Sequence, residues 1–161
     1  MRSTMSLWLR TGAVIALVDF CFASALSVYG YHSTFARLWQ GVASVPFGPG
    51  AIGGGDRFTA LGIACHVCVA FTWAGVFVML VSRWPALQRA TATPLGVLGV
   101  AALYGPAIWL VMSLAVIPAF TGRPPAFTAR WVIQVIGHIF FVGVPIVWTA
   151  SRPFVRRAPA A

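Results

Sequence analysis

Four long, almost uncharged apolar stretches, each set off by arginine, constrain this chain more than any other feature. They run from Gly12 to about Tyr31, from Phe58 to Ser82, from Pro94 to about Ile117, and from Trp131 to Ala150. A bilayer's hydrocarbon core, about 30 Å thick, is crossed by about 20 helical residues, so each stretch is long enough to span it. The ten-residue alternating segments of a membrane barrel are absent. Composition agrees: 60% of the residues are hydrophobic, 8% are charged, and the mean hydropathy is +0.89. A soluble domain carries about 25% charged residues. Disorder, collagen and a disulfide scaffold fail on the same figures. The expected fold is therefore all-α: a polytopic transmembrane four-helix bundle forming a single integral membrane domain over residues 1–161.

The cations mark the ends of these runs. The chain has eleven Arg and no Lys against only Asp19 and Asp56, a formal charge of +9. The arginines sit beside the runs and do not line one surface, so they read as membrane-boundary residues and not as a phosphate-tracking face. No nucleic-acid partner is expected; the lipid bilayer is. Arg2, Arg10, Arg83, Arg89, Arg152, Arg156 and Arg157 fall on the side shared by both termini, and Arg37, Arg57, Arg123 and Arg130 on the other. Seven against four favours cytoplasmic termini. Trp residues near the span ends read as interfacial anchors.

Residues Leu38 to Asp56 contain six Gly and two Pro with almost no charge, unlike a solvated loop. Within and just before this segment, Ala36 to Val45 sets Leu38, Trp39, Val42 and Val45 against Arg37, Gln40 and Ser44. That pattern predicts a short interfacial amphipathic helix in the first outer loop. Gly48 to Gly55 then returns the chain to the second span, either as a compact outer cap or as a re-entrant loop. Arg83 to Thr93 reads as a polar cytoplasmic turn and Ala119 to Ala129 as a Pro-rich outer one. Pro94 suits a first helical turn, Pro118 a stop, and Gly105-Pro106 predicts a kink in the third span.

Arg2 and Arg10 ahead of an apolar run, with Ala23-Ser24-Ala25 behind it, have the outline of a secretory signal. Asp19 in the middle of the run argues for a retained first span instead. Cys21, Cys65 and Cys68 all lie inside apolar runs, so neither a disulfide framework nor a surface redox couple is expected. Cys65-His66-Val67-Cys68 is metal-like in spelling. It lacks a fourth ligand and the order of a haem-attachment motif, and reads as helix packing. Gly62, His66, Ala70 and Ala74 recur every four residues, a small-residue stripe suited to internal packing or to homo-oligomer contacts. No internal repeat of the transporter type is apparent.

Ionisable groups inside a membrane are costly unless paired or wetted, so they are the first place to look for function. Asp19, His66 and His138 qualify. In an up-down-up-down bundle, His66 lies nine residues beyond Arg57 and His138 eight beyond Arg130, about 12–14 Å below the outer boundary. Asp19 comes out at about 16 Å, so the three could meet. Gln134 sits one turn from His138 on the same face. A structural network fixing helix register is one reading, with Asp19 accepting a hydrogen bond from a histidine. A second has His66 and His138 as axial ligands of a b-type haem in an electron carrier. The third is a proton path through Asp19 and the histidines, serving proton-linked transport. The first is the leading reading, a non-enzymatic membrane scaffold or interaction protein that self-associates or meets other membrane proteins, with no cofactor expected and haem b as the alternative.

Several local strings resemble a family of small, uncharacterised bacterial four-helix inner-membrane proteins. They are Leu38-Trp39-Gln40-Gly41-Val42-Ala43-Ser44, Gly53-Gly54-Gly55 leading to Thr59-Ala60-Leu61-Gly62 and His66, Tyr104-Gly105, and Gly137-His138 followed by Gly143-Val144-Pro145. The likeness covers most of the chain and implies a multi-pass location in the bacterial inner (cytoplasmic) membrane. It implies no activity, and Cys65 and Cys68 stand outside the pattern.

Overall fold

The computed structural model describes residues 4–155, so Arg2, Arg156 and Arg157, counted above as boundary residues, lie outside it. The described chain folds into α1 (Thr4–Gly30), α2 (Phe35–Phe47), α3 (Asp56–Arg83), α4 (Pro85–Ala90), α5 (Pro94–Thr121) and α6 (Ala129–Phe154), with no strand among the described residues. Helices α1, α3, α5 and α6 are each long and apolar enough to cross a membrane. The chain is accordingly a multi-pass membrane protein by length and composition of its helices.

Helices α3 and α6 begin two residues earlier than the sequence reading, at Asp56 and Ala129, α6 runs on to Phe154, and two further limits differ for identifiable reasons. Helix α1 begins at Thr4, before Gly12, because Arg10 marks where charge sits and not where the helix starts; arginine is a good helix former. Helix α5 runs past Pro118 to Thr121; Pro118 follows directly on the wide turn Met112–Val116, where the regular hydrogen-bond ladder is already interrupted. The helix stops instead at Gly122, whose φ of 67° is left-handed. Helix α5 starts at Pro94 as expected. Thr34, Thr93 and Thr128 cap α2, α5 and α6 by accepting hydrogen bonds from the backbone N–H of Arg37, Gly96 and Trp131.

Three spans contain wide, π-helical turns, at Leu26–Gly30, Met112–Val116 and His138–Gly143. The last immediately precedes Val144-Pro145. Proline at 145 offers no N–H to the carbonyl one turn back, and the wide turn lies where that ladder is interrupted.

The spans pack in antiparallel pairs. Helix α1 lies along α3, with the Trp8 indole N–H donating to the Phe71 carbonyl at 2.8 Å. On its other side α1 meets α6, where Phe22 stacks on Phe141 with centroids 4.1 Å apart. Helix α5 lies along α6, and Tyr104 on α5 reaches α3 by donating to the Trp73 carbonyl at 2.8 Å. Glycine permits the tightest crossings: a Cβ at Gly105 would collide with the His138 carbonyl, and one at Gly62 with the Trp39 backbone. Residues Gly62, Ala70 and Ala74 of the small-residue stripe are buried, so that stripe serves packing within the chain.

Two halves of this assembly differ in chemistry. The half nearest the termini and α4 has a mainly apolar core, including Ile15, Phe77, Val81, Ala101, Ile146 and Val147, with a few buried hydroxyls such as Thr11 and Ser151. The half nearest residues 31–55 and 122–128, hereafter the loop face, holds Asp19, Ser24, Tyr31, Trp39, Gln40, His66, Trp109 and His138. Helix α2 closes this half by packing along α3, with Trp39, Gln40 and Ala43 buried. Its return to α3 passes through Gly48, Gly53 and Gly55, all at φ near +83°, which glycine alone adopts without strain.

Candidate functional site

The antiparallel register of α1 and α3 sets the site. It puts residues 16 to 19 of one helix opposite residue 66 of the other, and because Ala16 and Asp19 are three apart they share a face. His66 therefore meets two oxygens. Its Nε2 lies 3.1 Å from the Ala16 carbonyl and its Nδ1 3.7 Å from Asp19 Oδ2. A carbonyl only accepts, so Nε2 carries the proton and Nδ1 is the nitrogen left facing the carboxylate. Between them Nδ1 and Asp19 can hold one further proton, either as imidazolium and carboxylate or as imidazole and carboxylic acid. At 3.7 Å the contact is of ion-pair length and too long for the direct hydrogen bond expected from the sequence. The two side chains are 11% and 19% exposed, so neither is solvated as on a surface.

His66 is held from the other side by Trp39, whose ring centroid is 5.1 Å away. Trp39 is 1% exposed and stacks on Phe20 at 4.9 Å. It is a wall of the site and not an interfacial anchor.

His138 has a different setting. Its Nδ1–H donates to the Gln134 carbonyl of its own helix at 2.8 Å, and its ring rests 5.1 Å from Trp109. Gln134, expected to contribute its side chain, contributes its main-chain carbonyl instead. The cause is the i to i−4 geometry of the helix just ahead of the wide turn. The His138 Nε2 makes no hydrogen bond among the described residues. Asp19 lies within electrostatic reach of both His66 and His138. His66 is ten residues along from Asp56 and His138 nine from Ala129, so the two imidazoles sit about 14–15 Å from the loop-face ends of α3 and α6.

Trp39 and Trp109 were not singled out beside the histidines by sequence, although each indole covers one imidazole. Only the usual anchoring role of Trp was legible there. The Gln40 side chain was also missed. It accepts from the Gly53 N–H at 2.9 Å and donates to the Gly55 carbonyl at 3.3 Å and to the Thr59 hydroxyl at 3.4 Å, stapling the glycine loop to α2. The cysteines are free thiols; Cys21 and Cys68 are exposed on the helix surfaces. Among the described residues no cluster of three or more His, Cys, Asp or Glu could hold a metal ion.

No family model matches this sequence, and neither a curated protein nor a solved structure is measurably similar to it.

Proposed function

We propose that this protein is a transmembrane four-helix bundle of the bacterial inner membrane, with cytoplasmic termini and α2 at the outer interface, and that it carries a proton in linked transport. The observation that supports this reading is the placement of His66 between the Ala16 carbonyl and Asp19. With Nε2–H committed to the carbonyl, the only group on His66 that can gain or lose a proton faces a carboxylate inside an apolar helix pair. A buried group that exchanges one proton with its neighbour, without changing the pair's net charge, meets the electrostatic demand of the membrane interior. His138, in electrostatic reach of Asp19 and with Nε2 unbonded, is the next proton acceptor across the helices.

The scaffold reading uses the same contacts for helix register alone and leaves no flux to lose. Reconstitution in proteoliposomes separates the two. An imposed pH gradient should dissipate faster with the wild-type protein than in empty vesicles, and Asp19→Asn should return the rate to the empty-vesicle value. Equal flux in wild type and Asp19→Asn would remove the transport reading.

A further inference from the structure

Five buried side-chain atoms among the described residues have no protein hydrogen-bond partner: Ser24 Oγ, Tyr31 Oη, Trp39 Nε1, Trp109 Nε1 and Ser151 Oγ. Four of the five belong to the loop-face half, and Ser151 alone lies near the termini. A buried donor without a partner is costly, and in native proteins nearly all such groups are satisfied by protein or by bound water. The cost rises in hydrocarbon, where no bulk water is at hand.

Two of these four atoms belong to the indoles that cover the histidines, and the other two lie between Asp19 and the loop face. Trp39 packs on His66 and Trp109 on His138. Ser24 lies five residues beyond Asp19 toward the loop face, about 8 Å along α1, and Tyr31 is the residue that follows the helix. Tyr31 sits at the loop-face end of the first span, with the Arg130 guanidinium 4.4 Å from its ring centroid. The two indoles can only donate and the two hydroxyls can do both, so what they lack is a set of acceptors.

The other half of the protein has one such atom, Ser151 Oγ, against four in the loop-face half. There Thr11 donates to the Leu7 carbonyl and Ser82 to the Val78 carbonyl, each within its own helix, and Tyr104 is bonded to the Trp73 carbonyl. Phe77, Val81, Ala101, Ile146 and Val147 fill the space between. A dry core of this kind excludes water.

We infer that the loop-face half is a hydrated chamber, in which bound water supplies the acceptors for Trp39, Trp109, Ser24 and Tyr31, so that Asp19 and His66 exchange with the aqueous phase on that face alone. In the conformation described, the apolar half acts as a plug, which a transport cycle has to open. The inference rests on the proposed proton site for its meaning, but its evidence is the distribution of unpartnered donors, which stands whether or not protons are transported.

Accessibility of introduced thiols tests it in the full-length protein in membrane vesicles of both orientations. Cys21, Cys65 and Cys68 are first replaced by Ala, and Ser24→Cys or Thr149→Cys is then added singly. Thr149 is a buried residue of the plugged half, 6% exposed. Silver ion, which is small and does not cross lipid, is applied to one face, and the thiols left are counted with a maleimide after denaturation. Ser24→Cys should be blocked from the loop face at least tenfold faster than from the opposite face, and at least tenfold faster than Thr149→Cys from either face. Blocking of Ser24→Cys at equal rates from both faces, or no faster than Thr149→Cys, overturns the chamber. A tightly held organic molecule recovered from the purified protein at one per chain, and lost in Trp39→Phe, overturns water as its occupant. Loop-face blocking of Ser24→Cys together with absent proton flux leaves the chamber standing and removes the transport reading.

Discussion

His66 Nδ1 faces Asp19 Oδ2 across the α1–α3 contact at 3.7 Å, while the opposite nitrogen of the same ring is 3.1 Å from the Ala16 carbonyl. One imidazole thus ties its helix to a neighbour through two groups one turn apart. The arrangement fixes both the axial register of the two helices and the tautomer of the ring.

The two partners depend on each other for stability. His66→Leu leaves the Asp19 carboxyl without its imidazole partner, so that it must keep a proton of its own or draw in water; a cost of about 1–3 kcal/mol is expected. In an Asp19→Leu background the same His66→Leu change should cost less, giving a coupling of about 0.5–3 kcal/mol in a double-mutant cycle. Thermal unfolding of the four detergent-purified variants measures it. Strictly additive effects would show that the pair does not interact.

The haem alternative has a spectroscopic consequence. An iron bond from His66 Nε2 would require that nitrogen to give up the Ala16 carbonyl, whereas the Nε2 of His138 is unbonded. Protein purified from cells supplemented with a haem precursor is therefore expected to show no Soret band. A band present in wild type and lost in both His66→Ala and His138→Ala would establish bis-histidine ligation in its place.

The spans were legible in the sequence because the bilayer demands long apolar runs and charge is excluded from them. Helix α2 was legible as well, since its apolar positions recur at helical spacing before a run of glycines. Asp19, His66 and His138 stood out on cost alone. What could not be read was orientation. Spacing gives the depth of His66 but not that its ring would lie against Ala16 and Trp39, because that depends on how far α2 folds back over α3. The wide turn at His138 was equally hidden, and it decides that the histidine bonds a main-chain carbonyl and not the Gln134 side chain.

Close packing of α2 on α3 yields a contrast between two glycines. A Cβ at Gly62 would collide with the Trp39 backbone, which cannot move without lifting α2 from the site. Gly62→Ala should destabilise the protein by about 1–3 kcal/mol, as overpacking does, and should loosen the wall behind His66. Gly41, on α2 itself, has nothing within 4 Å of a built Cβ. Gly41→Ala removes backbone freedom from the unfolded chain and should stabilise by about 0.5–1 kcal/mol. Thermal midpoints moving in opposite directions would support the packing described; a neutral Gly62→Ala would contradict it.

Gln40 controls the same wall from the loop side. The residue is 7% exposed, and its amide serves as acceptor for the Gly53 N–H and as donor to the Gly55 carbonyl and the Thr59 hydroxyl, on either side of the turn that launches α3. Gln40→Met keeps the bulk and removes all three bonds, leaving the Gly53 N–H and the Gly55 carbonyl without that partner. The expected loss is about 1–3 kcal/mol. Its local sign is faster amide exchange at Gly53, with protection in the core of α3 around Phe77 retained, because opening of the loop need not unfold the helices. Gln40→Glu keeps the acceptor for Gly53 and loses the donor, and should fall between wild type and Gln40→Met. If Gly53 exchanged at the wild-type rate in Gln40→Met, the loop would be held by its glycine turns alone and the staple would have no role in closing the site.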